Sequence, residues 1–283
     1  MELNELETQM ERPAWAPQGI DLTVPSVSRM YDYYLGGSHN FEVDREAARR
    51  AIQAWPGLPK IMQANRAFTR RAIDFAVGEG VTQFLDIGSG IPTFGNTHEV
   101  AQKAHSGSHV VYVDNDPVAV AHSRAVLEGN DQAAIVSADF RSPQDILYSA
   151  ETERLLDFGK PVALMLVALL HFIEDKDEPG KAIAEIADSL APGSLLVVSH
   201  SSADEGPKTD GGAGVRDVYR RTSSPLIMRP KEEIRQFFDG FELVEPGLVT
   251  LPRWRPDPDT EPASDPVLLS GYAGVGRKAG SAG

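Results

Sequence analysis

A doubly wound α/β fold with a mainly parallel sheet is the architecture this sequence predicts, and three observations predict it. Strand patterns alternate with helix patterns five times through the middle of the chain. The run Val162–Leu170 is continuously apolar behind Pro161, as in a central strand buried on both faces. The stretch VTQFLDIGSGIPTFGNTHE, Val81 to Glu99, reads as a strand, a glycine turn and a helix start.

Taken in order, residues 1–20 are expected to form a flexible acidic tail, with Pro13 and Pro17 discouraging regular structure. Residues 21–80 are expected to form a helical cap. It contains Tyr31, Tyr33 and Tyr34, a Gly36-Gly37 break, and an alanine-rich helix from Asp44 to Trp55. A second helix, Asn65–Val77, puts Phe68, Ala72, Phe75 and Ala76 on one face, and Gly78 and Gly80 end it.

Residues 81–283 form the expected core. Its first strand carries Phe84, Leu85 and Ile87 and ends at Asp86 and Gly88-Ser89-Gly90; Asn96 and Glu99 then have capping-box spacing. HVVYVDNDP is a second strand, with Asp116-Pro117 starting the next helix and Gly129 closing it. AAIVSADF ends at Asp139, and Ser142-Pro143 opens another helix. After the central strand come a helix over Pro179–Leu190 and a fifth strand, SLLVVSHSS. Ala203–Gly214 reads as a mobile glycine-rich loop, Pro230–Phe238 as a short helix, and FELVEPGLVT and VLLSGYAGVGRK as the last two strands. Substrate-shaping loops are expected at 201–230 and 252–266, the second rich in proline.

Composition narrows the function. The chain has 283 residues and a formal charge of −14, which argues against nucleic acid as the main partner. It has no cysteine, which removes disulfides, thiolate metal sites, iron–sulfur clusters and cysteine nucleophiles. The acidic N-terminus lacks a signal-peptide pattern, and the longest apolar run is less than half the roughly 20 residues of a membrane span. The expected location is the cytoplasm, with no membrane partner.

Ligands of such a sheet bind outside the carboxyl ends of the strands. Those ends offer Asp86 with the glycine turn, then Asp114, placed for two ribose hydroxyls. The third offers Asp139-Phe140, an acceptor for an exocyclic amine beside an aromatic face, and the fourth Leu170-His171-Phe172. Together they outline an adenosine with an unphosphorylated ribose. NAD and S-adenosylmethionine both fit. The dinucleotide fingerprint wants a third glycine where Thr93 stands, after Pro92, whereas the methionine group carries no phosphate and Asp86 supplies a counter-charge. The reading is S-adenosylmethionine.

LDIGSG, VDNDP and ADF, in that order, resemble the class I S-adenosylmethionine-dependent methyltransferases. The longer stretches FLDIGSGIPTFGNTHEVAQ, VVYVDNDPVAVAHSRAVL, PVALMLVALLHFIED, SRMYDYYLGGSHNFEVDREAA and ANRAFTRRA resemble one family best known from actinobacteria. That family is catalogued as predicted methyltransferases and was formerly a domain of unknown function. The resemblance spans roughly Pro25 to Lys278. It implies a Rossmann-like seven-stranded sheet, mostly parallel with the last strand antiparallel. It also implies that Gly88, Ser89 and Gly90 meet the methionine part, that Asp114 binds the ribose, and that Asn115, Asp139 and Phe140 surround the adenine.

A sulfonium methyl is already activated, so a base is needed only where the acceptor must lose a proton early. His171 is the candidate base; its other reading is a ring bonded to nearby backbone that shapes the pocket wall. Arg66 is a candidate carboxylate partner for cofactor or substrate. Tyr31 and Tyr34, in a lid that closes over the cofactor, and Tyr219, beside Arg216 and Arg220, are candidate substrate contacts. The acidic cluster Glu174, Asp175, Asp177 and Glu178 reads as a solvated helix start favoured by the macrodipole, not as a magnesium site. The expected activity is methyl transfer to an oxygen or nitrogen of a small molecule, such as a specialised metabolite. The alternatives are a non-catalytic S-adenosylmethionine-binding regulator and, further off, a nicotinamide-dependent oxidoreductase.

Overall fold

In the computed structural model, residues 15–18, 20–93, 95–205, 211–257 and 265–280 are described. Most of the expected acidic tail and part of the 203–214 loop therefore lie outside the described residues. At the near end of that tail, Trp15 stacks on Phe41 with ring centroids 5.1 Å apart.

Three helices come first: α1 (Val27–Tyr34), α2 (Glu42–Ala54) and α3 (Leu58–Gly78). The third starts seven residues before the expected Asn65, because Gly57 is its N-cap and Pro59 suits a first turn. Arg29 of α1 is buried and pairs with Asp44 of α2 at 3.1 Å and with Asp116 at 3.9 Å. Asp116 also accepts the Ser26 hydroxyl, so the cap is tied directly to the core.

The core runs β1 (Gln83–Ile87), α4 (Thr97–Ala104), β2 (His109–Asp114), α5 (Pro117–Val126), β3 (Ala133–Ser137), α6 (Pro143–Leu147), α7 (Ala150–Leu155), β4 (Ala163–Val167), α8 (Pro179–Ser189) and β5 (Leu195–Ser201). It closes with α9 (Gly211–Tyr219), α10 (Lys231–Gln236), β6 (Phe241–Leu243), β7 (Val249–Thr250) and β8 (Gly271–Lys278). The sheet order is β3-β2-β1-β4-β5-β8-β6, with β7 also on β8. Strands β1 to β5 pair in parallel, and β8 lies antiparallel to β5 and β6. Between β2 and β4 the chain direction across the sheet reverses at β1, which is where such sheets open a ligand crevice. Alternate side chains feed two cores: Phe84 and Met165 on the cap side, Leu85 and Leu164 on the other.

Two expectations change. The strand read over FELVEPGLVT is two short strands, β6 and β7, divided by a turn in which Gly247 has φ +84° and donates to the Val244 carbonyl at 2.8 Å. The sheet therefore has eight strands, and the antiparallel last strand is present. The glycine-rich stretch is a loop only in part, since Gly211–Tyr219 is a helix, α9, which puts Arg216 and Tyr219 on a helix. Its glycines lower helix propensity, but they let it approach α2 closely. A Cβ at Gly214 would stand 2.9 Å from the Ala54 Cβ. Tertiary packing overrides propensity here.

Candidate active site

The nine residues assigned to the cofactor come together. Arg66, Asp86, Gly88, Ser89, Gly90, Asp114, Asn115, Asp139 and Phe140 all line one cavity above the carboxyl ends of β1 to β4. α1 and α3 roof it with Val27, Ser28, Tyr31, Asn65 and Thr69.

The glycine turn bends sharply, with Gly88 at φ +72° and Gly90 at +69°. Its N–H groups are satisfied inside the protein. Those of Gly88 and Ser89 donate to the Val113 carbonyl at 2.8 and 3.2 Å, and that of Gly90 donates to Asp114 Oδ2 at 2.7 Å. At the start of α4, the Asn96 N–H donates to Glu99 at 2.8 Å. None of the turn's three N–H groups is left for a pyrophosphate. That arrangement disfavours a dinucleotide, as Thr93 did in the sequence.

Polarity in the cavity comes from carboxylates. Asp86 accepts the Thr97 hydroxyl at 2.6 Å, and Asp114 accepts the Asp116 N–H at 2.8 Å. Both are buried. Desolvation pushes each carboxyl up to about 6, against the Thr97 hydrogen bond and the Arg66 charge at Asp86 and against backbone N–H groups at Asp114. Asp139 differs. Desolvation alone would raise it, but Arg141, with which it pairs at 2.8 Å, and the Asn115 amide, at 2.8 Å, together hold it below the ordinary range. Arg66 donates to Thr93 Oγ1 at 2.8 Å. The Ser89 hydroxyl is buried with no hydrogen-bond partner.

A second cavity lies beside the first. Trp55, Leu58, Ile61, Met62, Val215, Leu226, Met228 and Leu251 supply its apolar wall, and His171, Ser199, His200 and Tyr219 its polar one. The two cavities share Val27, Tyr31, Asn65, Ala168 and Phe172. At that seam the Ser199 hydroxyl donates to Asn65 Oδ1 at 2.6 Å, and the Asn65 amide donates to the Tyr31 hydroxyl at 3.0 Å. The Ala168 N–H donates to Ser199 Oγ at 2.9 Å. Ala168 has φ +56°, a left-handed conformation costing an alanine on the order of 1–2 kcal/mol.

His171 stands in the second cavity and does not line the first. Its Nδ1 accepts the Ser201 N–H at 3.3 Å, which leaves the proton on Nε2. Burial, then the neighbouring His200 and Arg229, lower its pKa well below that of a free imidazole. His200 has the opposite tautomer: Nδ1 donates to the Ser201 carbonyl at 2.7 Å and Nε2 accepts from Arg229 at 3.1 Å. Its pKa is lowered to about 3, chiefly by burial.

Among the expected substrate contacts, Tyr31 lines both cavities and Tyr219 the second. Tyr34 lines neither. It is buried behind Tyr219, whose hydroxyl donates to it at 3.2 Å. Arg220 pairs with Asp217 at 2.9 Å on an exposed surface. Of the acidic cluster, Asp175 pairs with Arg229 at 2.5 Å, Glu174 with Lys176 at 2.7 Å and Asp177 with Arg141 at 3.5 Å. Phe172, read at the fourth strand end, lines both cavities, whereas sequence reasoning missed Asn65 and Ser199 as site residues. Asn65 did leave a trace: it interrupts the buried stripe Leu58, Ile61, Phe68, Ala72 of α3 with an amide.

The sequence model of a family described as S-adenosyl methyltransferase matches residues 13–279. Among solved structures, the chain resembles a candidate methyltransferase from Thermobifida fusca, at 38% identity over 94% of this chain and 99% of that one, with a TM-score of 0.87. It also resembles a DUF574 family protein from Streptomyces avermitilis, at 37% identity over 90% and 98% of the respective chains, with a TM-score of 0.85. No curated protein matches it.

Proposed function

This chain belongs to the S-adenosyl methyltransferase family, whose cofactor is S-adenosylmethionine, and on that premise we propose that it methylates an oxygen or nitrogen of a small molecule. The observation that carries the proposal is the shared wall, Val27, Tyr31, Asn65, Ala168 and Phe172, between a charged cavity at the strand ends and a mostly apolar one. A donor and an acceptor lodged in adjoining cavities meet across such a seam.

The strand-end cavity suits the cofactor. Asp114 would take the ribose hydroxyls, and Phe140, Asn115 and Asp139 would surround the adenine. Asp86 would face the ammonium and Arg66 the carboxylate, with Gly88, Ser89 and Gly90 along the methionine chain. The unpartnered Ser89 hydroxyl supports a polar ligand there. When bound, S-adenosylmethionine supplies a sulfonium methyl already activated toward a lone pair. This chain's own part is alignment and exclusion of water. α1 and α3 cover the site, and the Ser199–Asn65–Tyr31 hydrogen bonds fix the side chains at the seam.

The second cavity, concave and mostly apolar with a few polar groups in its wall, has the character of a small-molecule site, and we assign the acceptor to it. The net charge of −14 disfavours a nucleic acid acceptor. No described helix is long and apolar enough to cross a membrane. The test is release of S-adenosylhomocysteine from S-adenosylmethionine against a panel of hydroxyl- and amine-bearing small molecules. Turnover with at least one is expected. Turnover with only protein or nucleic acid acceptors would overturn the proposal.

A further inference from the structure

The two cavities differ in charge, and the difference bears on what the second one takes. Arg66, Asp86, Asp114, Asp139 and Arg141 line the strand-end cavity. Among the described residues, no aspartate, glutamate, lysine or arginine lines its neighbour. Taking a charged group out of water with no counter-ion costs several kcal/mol, so such a cavity selects against ions.

Aromatic rings line the second cavity. Phe172 and Tyr219 stack with ring centroids 5.6 Å apart, and Trp55 lines the same space. Flat apolar walls favour a flat apolar guest. The imidazole present has its proton fixed. Because the Ser201 N–H occupies Nδ1 of His171, Nε2 is a hydrogen-bond donor with no lone pair to take a proton. Both backbone polar groups of Ser201 are engaged, its N–H by His171 and its carbonyl by His200. Arg229, itself buried, holds His200 in turn and also donates to the Leu170 and Ile173 carbonyls at 2.8 Å each. The tautomers are therefore set by a network that does not include the guest.

We propose that the second cavity is the acceptor site for an electrically neutral, ring-bearing molecule that offers a lone pair to hydrogen-bond donors such as His171 Nε2–H. The inference rests on the methyltransferase reading above and deepens it by naming the acceptor class. It also assigns His171 to recognition, not to proton abstraction.

The experiment is calorimetric titration of 2-naphthol and of 2-naphthoate into the full chain saturated with S-adenosylhomocysteine. These probes share a ring system and differ in charge at neutral pH. The neutral probe is expected to bind at least about tenfold more tightly than the carboxylate. Val215→Phe and, separately, Leu226→Trp fill the cavity and are expected to weaken 2-naphthol about tenfold or more, while S-adenosylhomocysteine binding certifies the folded site. Equal or tighter binding of 2-naphthoate overturns the inference. So does absence of 2-naphthol binding, or binding that neither variant changes. If S-adenosylhomocysteine itself fails to bind, the methyltransferase reading fails first, and the two failures are told apart by that control.

Discussion

The Ser199 hydroxyl donates to Asn65 Oδ1 at 2.6 Å, joining residues 134 positions apart on β5 and α3. It is the point at which the helical cap is fastened to the sheet between the two cavities. Asn65→Leu leaves the buried Ser199 hydroxyl without its acceptor and Tyr31 without its amide donor. A loss of about 1–3 kcal/mol of stability is expected. Ser199→Ala should cost about 1 kcal/mol, and the double variant less than the sum, by at least about 0.5 kcal/mol. Urea denaturation of the four proteins measures the coupling, and strict additivity would mean the contact carries none.

The turn glycines should differ in their tolerance of alanine. Both sit at positive φ, but a Cβ at Gly88 would lie 2.7 Å from Leu169 Cδ1, while one at Gly90 would meet nothing within 4 Å. Gly90→Ala should cost the backbone strain alone, about 1–2 kcal/mol, and Gly88→Ala about 1 kcal/mol more through overpacking. Thermal melts of the two variants test the order.

Ionisation pulls binding and stability in opposite directions. Asp86 and Asp114 titrate near 6 in the fold, raised by burial from about 3.9 in an unfolded chain. Each contributes stability to the ligand-free protein that is complete below about pH 4 and lost as pH rises through about 6. A cofactor that needs them as carboxylates binds best above that range. S-adenosylhomocysteine affinity is expected to weaken below pH 6 by up to about tenfold per pH unit for each carboxyl engaged. His171 and His200, lowered by burial, act on stability in the other sense. Their contribution is present above about pH 6.5 and declines as pH falls toward their folded values. Calorimetry across pH 4.5 to 8 follows the affinity, and a flat profile would exclude both carboxyls.

Nitrogen-15 spectra of labelled histidine provide a direct view of the second cavity. One imidazole, His171, should carry its proton on Nε2 and another, His200, on Nδ1. Neither should become protonated on acidification to about pH 5.5, where a free imidazole is mostly charged. His171→Gln and His200→Gln assign the signals. A His171 resonance that titrates near 6.5 would restore it as a candidate base.

The strand-end cavity was legible because three of its strands carry an acidic residue at the end of an apolar run. Asp86, Asp114 and Asp139 stand out by contrast with Leu85, Val113 and Val136. The parallel order of β1 to β5 follows from the alternation of periods, which is local information. The second cavity was not legible. Its wall is assembled from Trp55, Met62, His171, Ser199, Val215 and Met228, which adjoin only after the chain has folded. The glycines of α9 read locally as a loop, and only contact with Ala54 explains them as a helix. The position of Tyr34 outside both cavities was hidden for a related reason. Tyrosine spacing in α1 did not reveal which ring faces the cavity and which faces Tyr219.

The most direct test of the account is calorimetric titration of S-adenosylhomocysteine into the wild type and Asp114→Ala. The account predicts binding on the order of micromolar by the wild type and a loss of at least about tenfold in the variant, with the fold retained. Absence of wild-type binding, or equal affinity in the two proteins, would contradict it and move the cofactor away from the end of β2.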